Sequence, residues 1–278
     1  MQMRYGVCTW IFGDQPLPEV AARLASLGYD GVELMGDLAR VDAREVKGVL
    51  SGHGLRVLSL TPQNVDLAHP DSRMRQEALD YYYHLLDLAS ALDNPIVCCH
   101  GAVGRVRAVT SYQEEWSLFV EAVRHIAQRA EQQGLSLAME VLNRYEAHLL
   151  NTAREALRFI QEVSMENVGI LLDAYHMNID EADLRSAILA VREHLFLFHA
   201  ADSNRQAVGR GHTDFIGVMR ALHEVGYDGS VIIECTASGP DPFTPIKGEG
   251  WREEVWQYVA ESLGLLRMYE RLVWNERG

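Results

Sequence analysis

Four polar side chains stand at points where short, mainly apolar runs of this sequence end. They are Glu140 after Leu135–Met139, Asp173 after Val168–Leu172, His199 after Leu195–Phe198 and Glu234 after Val231–Ile233. Runs of this length and composition are typical of strands buried on both faces of a parallel sheet. Because ligands bind at the carboxyl ends of such strands, the pattern predicts that these four side chains meet in one site.

The donor types predict which ligand this site would hold. A single carboxylate at a strand end is usually a helix cap or a surface charge, but four strand ends that all carry metal-ligand side chains favour a metal centre. Three carboxylates without a cation would repel one another strongly. An oxygen-rich set with one imidazole suits Mn²⁺, Mg²⁺ or Co²⁺ better than a thiolate zinc site does, and Mn²⁺ is the predicted cofactor.

The elements that must position these residues alternate regularly along the chain. Eight strand-like runs alternate with eight helical segments, and one helix is predicted at about 182–192, between the sixth and seventh strands. This alternation favours an α/β fold with a closed (β/α)8 TIM barrel over an open doubly wound sheet, and we expect a single domain over residues 1–278. The segment Gly209-Arg210-Gly211 follows the seventh strand, but no strand is followed by a complete glycine-rich phosphate-binding motif.

The composition limits the classes of partner. The 278 residues are 48% hydrophobic and carry a net charge of −14, so the chain can build one large core and is not expected to bind nucleic acid or anionic membranes. Its four cysteines form no CxxC pair and lie in or beside apolar runs, which is typical of reduced, buried thiols. No signal peptide or membrane span is predicted, and we expect a cytoplasmic protein.

Three segments around the strand ends resemble the xylose isomerase-like TIM-barrel family, and within it the ketose 3-epimerases of D-tagatose, D-psicose and keto sugar acids. These segments are Glu140–Glu146 (EVLNRYE), Leu172–Ile179 (LDAYHMNI) and His199–Arg205 (HAADSNR). The intervals of 33, 26 and 35 residues between the four strand-end side chains are also similar to those of that family. The resemblance implies an isomerase of carbohydrate metabolism.

In more detail, the resemblance implies a metal-dependent epimerase that acts at C3 of a ketose or keto sugar acid through an enediolate. Glu140 and Glu234 would ligate the metal and also act as base and acid on the two faces of the substrate. His176 and Arg205 would bind sugar oxygens near C2, and Glu146 would hydrogen-bond the substrate or orient a catalytic group. The family also leads us to expect a homodimer or homotetramer.

Three further residues are weaker candidates for the site. His100, after the fourth strand, faces the same barrel mouth and is predicted either to touch the substrate or only to fill space. Trp10, just after the first strand, is predicted to form an apolar wall for the sugar or to plug the barrel rim. Glu33 ends the second strand and is a candidate for supporting a catalytic residue, and the Gly- and Pro-rich loop Thr236–Gly250 is a candidate lid.

Two departures from the ketose epimerases bear on the substrate more than on the chemistry. Val141 stands where those enzymes tend to have proline, and the segment after Glu234 lacks their aromatic pattern. An aldose–ketose isomerase, or one acting on hydroxypyruvate or inosose, would use the same metal site and stays open as an alternative. An abasic-site endonuclease is disfavoured by the negative charge and by the lack of an Asp-Arg-His element after His199. A non-catalytic sugar-binding barrel would be expected to lose one of the two glutamates.

Overall fold

Eight parallel strands close into a barrel in the computed structural model, which describes residues 3–241 and 243–275. Each strand pairs with its neighbours in chain order, and the eighth returns to pair with the first. The strands are β1 (Arg4–Cys8), β2 (Gly31–Met35), β3 (Arg56–Thr61), β4 (Ile96–Cys99), β5 (Leu137–Glu140), β6 (Val168–Asp173), β7 (Leu195–Ala200) and β8 (Ser230–Ile233). All their carboxyl ends therefore open at the same end of the barrel.

Helices surround the barrel. The described residues contain α1 (Leu17–Leu27), α2 (Ala43–Gly52), α3 (Ser72–Ala91), α4 (Tyr112–Gln132), α5 (Ala153–Val163), α6 (Ala174–Asp180), α7 (Leu184–Val191), α8 (Phe215–Glu224) and α9 (Trp251–Asn275), with 3₁₀ turns at Thr9–Phe12 and Arg192–His194. Six of these helices are preceded by a short polar residue whose side chain accepts a hydrogen bond from a backbone N–H of the first turn. These N-cap residues are Asp42, Asp71, Ser111, Thr152, Asp183 and Asp214. These caps fix where the helices begin. Within the described ranges, none of the helices combines the length and hydrophobicity needed to cross a bilayer.

The hydrophobic core fills the barrel and the layer between strands and helices. Leu60, Val97 and Ile232 on three different strands are fully buried. Burying one such side chain stabilises a fold by about 1.5–3 kcal/mol, so a core of this size holds the strand ends firmly. Outside the barrel wall, the buried ring of Phe12 stacks on Trp256 of α9 with ring centroids 4.4 Å apart. This contact joins the turn after β1 to the last helix.

The closed barrel confirms the predicted fold, but the predicted number of helices is too low. The sequence predicts one helix between β6 and β7, at about 182–192, whereas the structure has α6 directly after β6 and then α7. The sequence does not reveal α6 as a separate helix, because no turn residues stand between it and β6. Asp173 ends β6 and also caps α6, since its Oδ1 atom accepts a hydrogen bond from the Tyr175 N–H at 2.7 Å.

Candidate active site and metal centre

The four side chains predicted as metal ligands meet at the mouth of the barrel. Glu140 ends β5, Asp173 ends β6, His199 lies on β7 and Glu234 directly follows β8. All four are buried, and one potential ligand atom of each lies within 4.8 Å of those of the other three. The Nδ1 atom of His199 lies 3.1 Å from Glu234 Oε2, and 3.9 and 4.0 Å from an oxygen of each of the other two carboxylates.

Strand register and one arginine aim the acidic groups at a common point. Asp173 and His199 lie side by side in the pairing of β6 with β7. Because Asp173 uses Oδ1 to cap α6, its Oδ2 faces the cluster and accepts a hydrogen bond from Arg205 Nη1 at 2.8 Å. Arg205 Nη2 lies 2.9 Å from Glu234 Oε2, and the guanidinium stacks over the Tyr175 ring. Arg205 therefore bridges two of the four clustered residues.

Burial and crowded carboxylates dominate the electrostatics of the cluster. Burial, followed by repulsion from Glu234, raises the pKa of Glu140 well above its usual value. Burial acts in the same direction on Glu234, but Arg205 and His199 outweigh it and hold the pKa of Glu234 well below its usual value. Burial lowers the pKa of His199, yet the carboxylates on both sides of the ring outweigh burial and raise that pKa. The site thus strongly favours positive charge at its centre.

These residues fit a divalent cation. The donor set is three carboxylates and one imidazole nitrogen from four neighbouring strands, which suits metals that prefer oxygen ligands. Three buried carboxylates beside a single arginine repel one another unless bound protons or a further cation compensate their charge. A small cation at the point where the four donors converge would supply that charge.

His176, on α6, presents a defined ring nitrogen to the cluster. Its Nε2 lies 3.8 and 4.0 Å from oxygens of two clustered carboxylates, and its Nδ1 lies 2.8 Å from the side-chain amide nitrogen of Asn143. The same amide nitrogen donates to Glu146 Oε1 at 2.9 Å, while Asn143 Oδ1 accepts from the Tyr145 N–H at 2.9 Å. This fixes the orientation of the amide. Because the amide and backbone N–H groups of Asn143 donate to Nδ1, the proton of the neutral ring lies on Nε2, toward the cluster. Burial lowers the pKa of His176, which favours that neutral form.

A pocket of about 590 Å³ opens above the cluster. Its walls include all five residues that the sequence predicts as substrate contacts, namely Trp10, His100, Glu146, His176 and Arg205. Trp10 does more than provide an apolar surface, because its indole N–H donates a hydrogen bond to Glu234 Oε1 at 2.8 Å. Phe243 and Pro245 also line the pocket, so part of the loop predicted as a lid lies at its mouth. A cavity of this volume is within the usual range for small-molecule sites.

Sequence reasoning missed two asparagines that organise this pocket. Asn143 sits inside a family-like segment, but an amide in a loop gives no chemical signal until its contact with His176 is seen. Asn64 lines the pocket after β3 and forms two hydrogen bonds with the backbone of Val103, donating at 2.9 Å and accepting at 2.8 Å. These bonds join the loops after β3 and β4, which no spacing along the chain could have indicated.

A parallel barrel with a buried acidic cluster at the carboxyl ends of its strands is typical of TIM-barrel enzymes. Residues 21–263 match the family described as xylose isomerase-like TIM barrel. The chain is 30% identical over 251 residues to the D-psicose 3-epimerase of Ruminiclostridium cellulolyticum, over 86% of this chain and 83% of that protein. It is 27% identical over 248 residues to the 3-dehydro-D-guloside 4-epimerase of Escherichia coli, over 86% and 95% of the two chains.

A solved structure agrees with these relatives. The D-psicose 3-epimerase of Clostridium cellulolyticum H10, crystallised with D-tagatose, superposes with a TM-score of 0.86 at 26% identity, over 96% of this chain and 99% of that chain. The chain therefore belongs to the xylose isomerase-like TIM-barrel family, which confirms the resemblance seen in the sequence motifs. Because its relatives are sugar epimerases, it is an enzyme of the isomerase class.

Proposed function

We propose that this protein is a divalent-metal-dependent epimerase that inverts the configuration at C3 of a ketose. One observation carries the proposal. Glu140 and Glu234, from strands separated by two others, converge with Asp173 and His199 directly beneath the pocket. The relatives named as 3-epimerases of D-psicose support the same reaction.

The two glutamates would move the proton on C3. One would remove it, and the other would return a proton to the opposite face of the enediolate, with the order set by the direction of the reaction. A divalent cation held by the four strand-end residues would stabilise the negative charge that develops on the C2 and C3 oxygens. Trp10 and Arg205, which both hydrogen-bond or ion-pair with Glu234, hold that carboxylate in place.

Three other side chains would bind the sugar. His176 directs its Nε2–H toward the cluster and can donate it to a substrate oxygen that gains charge. Arg205 lines the pocket above its two carboxylate partners and can offer further N–H groups near C2. Glu146 is held by Asn143 at the pocket wall and can accept from a sugar hydroxyl.

The charge of the pocket favours a neutral sugar over the keto sugar acid that the sequence left open. Among the described residues that line the pocket, Arg205 is the only arginine or lysine, and it already pairs with two carboxylates. Glu140, Glu146 and Glu234 line the same walls. Even with a divalent cation bound, these three glutamates and Asp173 carry one more charge than Arg205 and the cation together, so a carboxylate or phosphate on the substrate would meet net repulsion. Free ketohexoses such as D-psicose and D-tagatose are the first substrates to test.

Several parts of the proposal come from the sequence and the donor chemistry. Mn²⁺ is the proposed cofactor, and Mg²⁺ and Co²⁺ are alternatives with similar ligand preferences. We further propose a single domain over residues 1–278, a cytoplasmic location, and a homodimer or homotetramer that binds neither nucleic acid nor membranes.

One relative favours a second candidate reaction. The 3-dehydro-D-guloside 4-epimerase indicates that a related barrel serves epimerisation at C4 of a keto sugar derivative. The same two glutamates could act on the carbon next to a ketone at either position. Aldose–ketose isomerisation, which moves a proton between C1 and C2, is the other reaction that the same side chains could perform.

Solvent exchange distinguishes these reactions. The Mn²⁺-loaded protein is incubated in D₂O with D-psicose, D-fructose, D-tagatose or a 3-keto-glycoside, and the products are followed by NMR. We expect deuterium at C3 together with the C3 epimer, and loss of both when the metal is removed by EDTA. Deuterium confined to C1 or C2 would refute C3 epimerisation in favour of isomerisation, and deuterium at C4 of a keto-glycoside alone would favour the second candidate.

A further inference from the structure

A buried carboxylate, Glu33 of β2, lies behind the metal-ligand cluster and has no part in the mechanism above. It has no exposed surface and does not line the pocket. In the described part of the chain, its only ion-pair partner is a histidine. Its two oxygens lie within hydrogen-bond distance of Ser59 Oγ (2.6 Å), Thr61 Oγ1 (2.7 Å), Cys8 Sγ (2.9 Å), His199 Nε2 (3.0 Å) and Cys98 Sγ (3.3 Å).

The strand register builds this arrangement. Val32 pairs with Val57, but the next residue, Glu33, pairs with Ser59, so β3 contributes one extra residue at this point. Such a bulge redirects the side chains next to it. Here it brings the Ser59 hydroxyl beside the Glu33 carboxylate. A carboxylate surrounded by hydroxyl and thiol donors can only accept, so it also calls for a proton on the His199 nitrogen that faces it.

This geometry gives each ring nitrogen of His199 its own partner. On one side, Nε2 lies 3.0 Å from Glu33 Oε2. On the other side, Nδ1 lies 3.1 Å from Glu234 and faces the cluster. If Nε2 carries the hydrogen and donates it to Glu33, the Nδ1 lone pair is left free for a metal ion.

We propose that Glu33 is a positioning residue for the metal centre: it holds the His199 ring in place with the proton on Nε2 and so keeps the Nδ1 lone pair directed at the ligand cluster. A carboxylate behind a histidine ligand also increases the basicity of that ligand. The inference rests on the metal centre of the proposed function, and it adds a residue that holds no metal and touches no substrate.

A different use of the same residues is less consistent with the geometry. Glu33, Cys98 and His199 also form a group of three potential ligands. However, both Glu33 oxygens are already occupied by hydroxyl and thiol donors, and neither Glu33 nor Cys98 lines the pocket. A metal there would have to displace those hydrogen bonds, whereas a hydrogen bond from His199 completes them.

Metal affinity tests the proposal without relying on turnover. The metal-free full-length protein is titrated calorimetrically with MnCl₂, for the wild type and for two variants. Glu33→Gln keeps the shape and an acceptor oxygen but loses the charge, and we expect about 10-fold weaker Mn²⁺ binding. Glu33→Ala also removes the acceptor, and we expect a loss near 100-fold, the upper end of the range typical for such residues.

The matched control is Glu115→Gln. Glu115 is also a fully buried carboxylate, but its partners are Arg105 and His148 in the loops after β4 and β5, and none of the three lines the pocket or belongs to the ligand cluster. Its substitution should lower the melting temperature while leaving the Mn²⁺ affinity within two-fold of wild type. Wild-type Mn²⁺ affinity in Glu33→Gln and in any folded Glu33→Ala would overturn the role of Glu33 and leave the proposed function standing. A wild-type protein that binds no Mn²⁺ would overturn both.

Discussion

Asn143 is the residue that fixes the proton of His176, and its replacement by alanine tests that assignment. The side-chain amide lies 2.8 Å from His176 Nδ1 and 2.9 Å from Glu146 Oε1. Alanine removes both contacts. His176 can then turn or exchange its tautomer, and Glu146 loses the group that holds it at the pocket wall.

The expected loss follows from the two hydrogen bonds. A bond to a neutral partner contributes about 1 kcal/mol and one to a carboxylate about 2 kcal/mol, so their full loss in the transition state is about 3 kcal/mol. At 1.36 kcal/mol per factor of ten, this is roughly a 150-fold fall in kcat/KM. The Asn143 backbone N–H, 3.2 Å from His176 Nδ1, remains in the variant, so we expect a fall between about 10-fold and about 150-fold.

Two further variants make this prediction specific. Asn143→Asp should reduce kcat/KM more than alanine does, because a carboxylate accepts a hydrogen bond from Nδ1–H, which favours the tautomer without a proton on Nε2, and it also repels Glu146. Asn167→Ala is the matched control, since that amide donates to the carbonyls of Ala127 and Leu135 at 2.9 and 3.2 Å, away from the pocket. It should lower stability and leave kcat/KM for the ketohexose unchanged. Wild-type activity in Asn143→Ala, or an Asn143→Asp variant as active as the alanine variant, would refute the reasoning.

Two other predictions concern the acidic side chains. Glu140→Gln and Glu234→Gln should each reduce turnover by about 10²–10⁴-fold in protein that remains folded, and near wild-type turnover in either one would contradict the two-base scheme. Burial raises the pKa of Glu115, but hydrogen bonds from Arg105 and nearby backbone N–H groups outweigh it and lower the pKa to about 2 from an ordinary value of 4.5. The ionised group therefore stabilises the fold above about pH 4.5, and this contribution disappears as the pH falls toward 2. Thermal melts of Glu115→Gln should lie roughly 5 °C below wild type at pH 7, and a gap that does not narrow below pH 4.5 would contradict this assignment.

The barrel and the clustered side chains could be predicted because each signal lies within one short segment. An apolar run that ends on Asp173 or Glu234 indicates both a buried strand and a possible metal ligand at its carboxyl end. The order of such runs then determines which ends lie side by side in a closed sheet. The family-like segments add the same information at greater resolution, since they place His176 and Arg205 relative to the strand ends.

What the sequence could not indicate depends on contacts between distant segments. Trp10 donates to Glu234 across 224 residues, and Glu33 lies against His199 across 166 residues. Neither pair has a local pattern. The sequence names Glu33 as a candidate for supporting a catalytic residue, but it places Glu33 at the end of a strand that in fact continues to Met35, and it does not indicate His199 as the partner. The short helix α6 escapes prediction for the opposite reason, because it follows β6 so closely that one residue, Asp173, serves both elements.

The central claim is that one divalent cation is bound by Glu140, Asp173, Glu234 and the Nδ1 atom of His199. Anomalous diffraction at the manganese edge from crystals grown with MnCl₂ tests it most directly. We expect one strong peak within bonding distance of those four side chains, on the pocket side of the imidazole ring. A peak on the other side of the ring, between Glu33 and Cys98, or a manganese ion bound away from the barrel mouth, would contradict it.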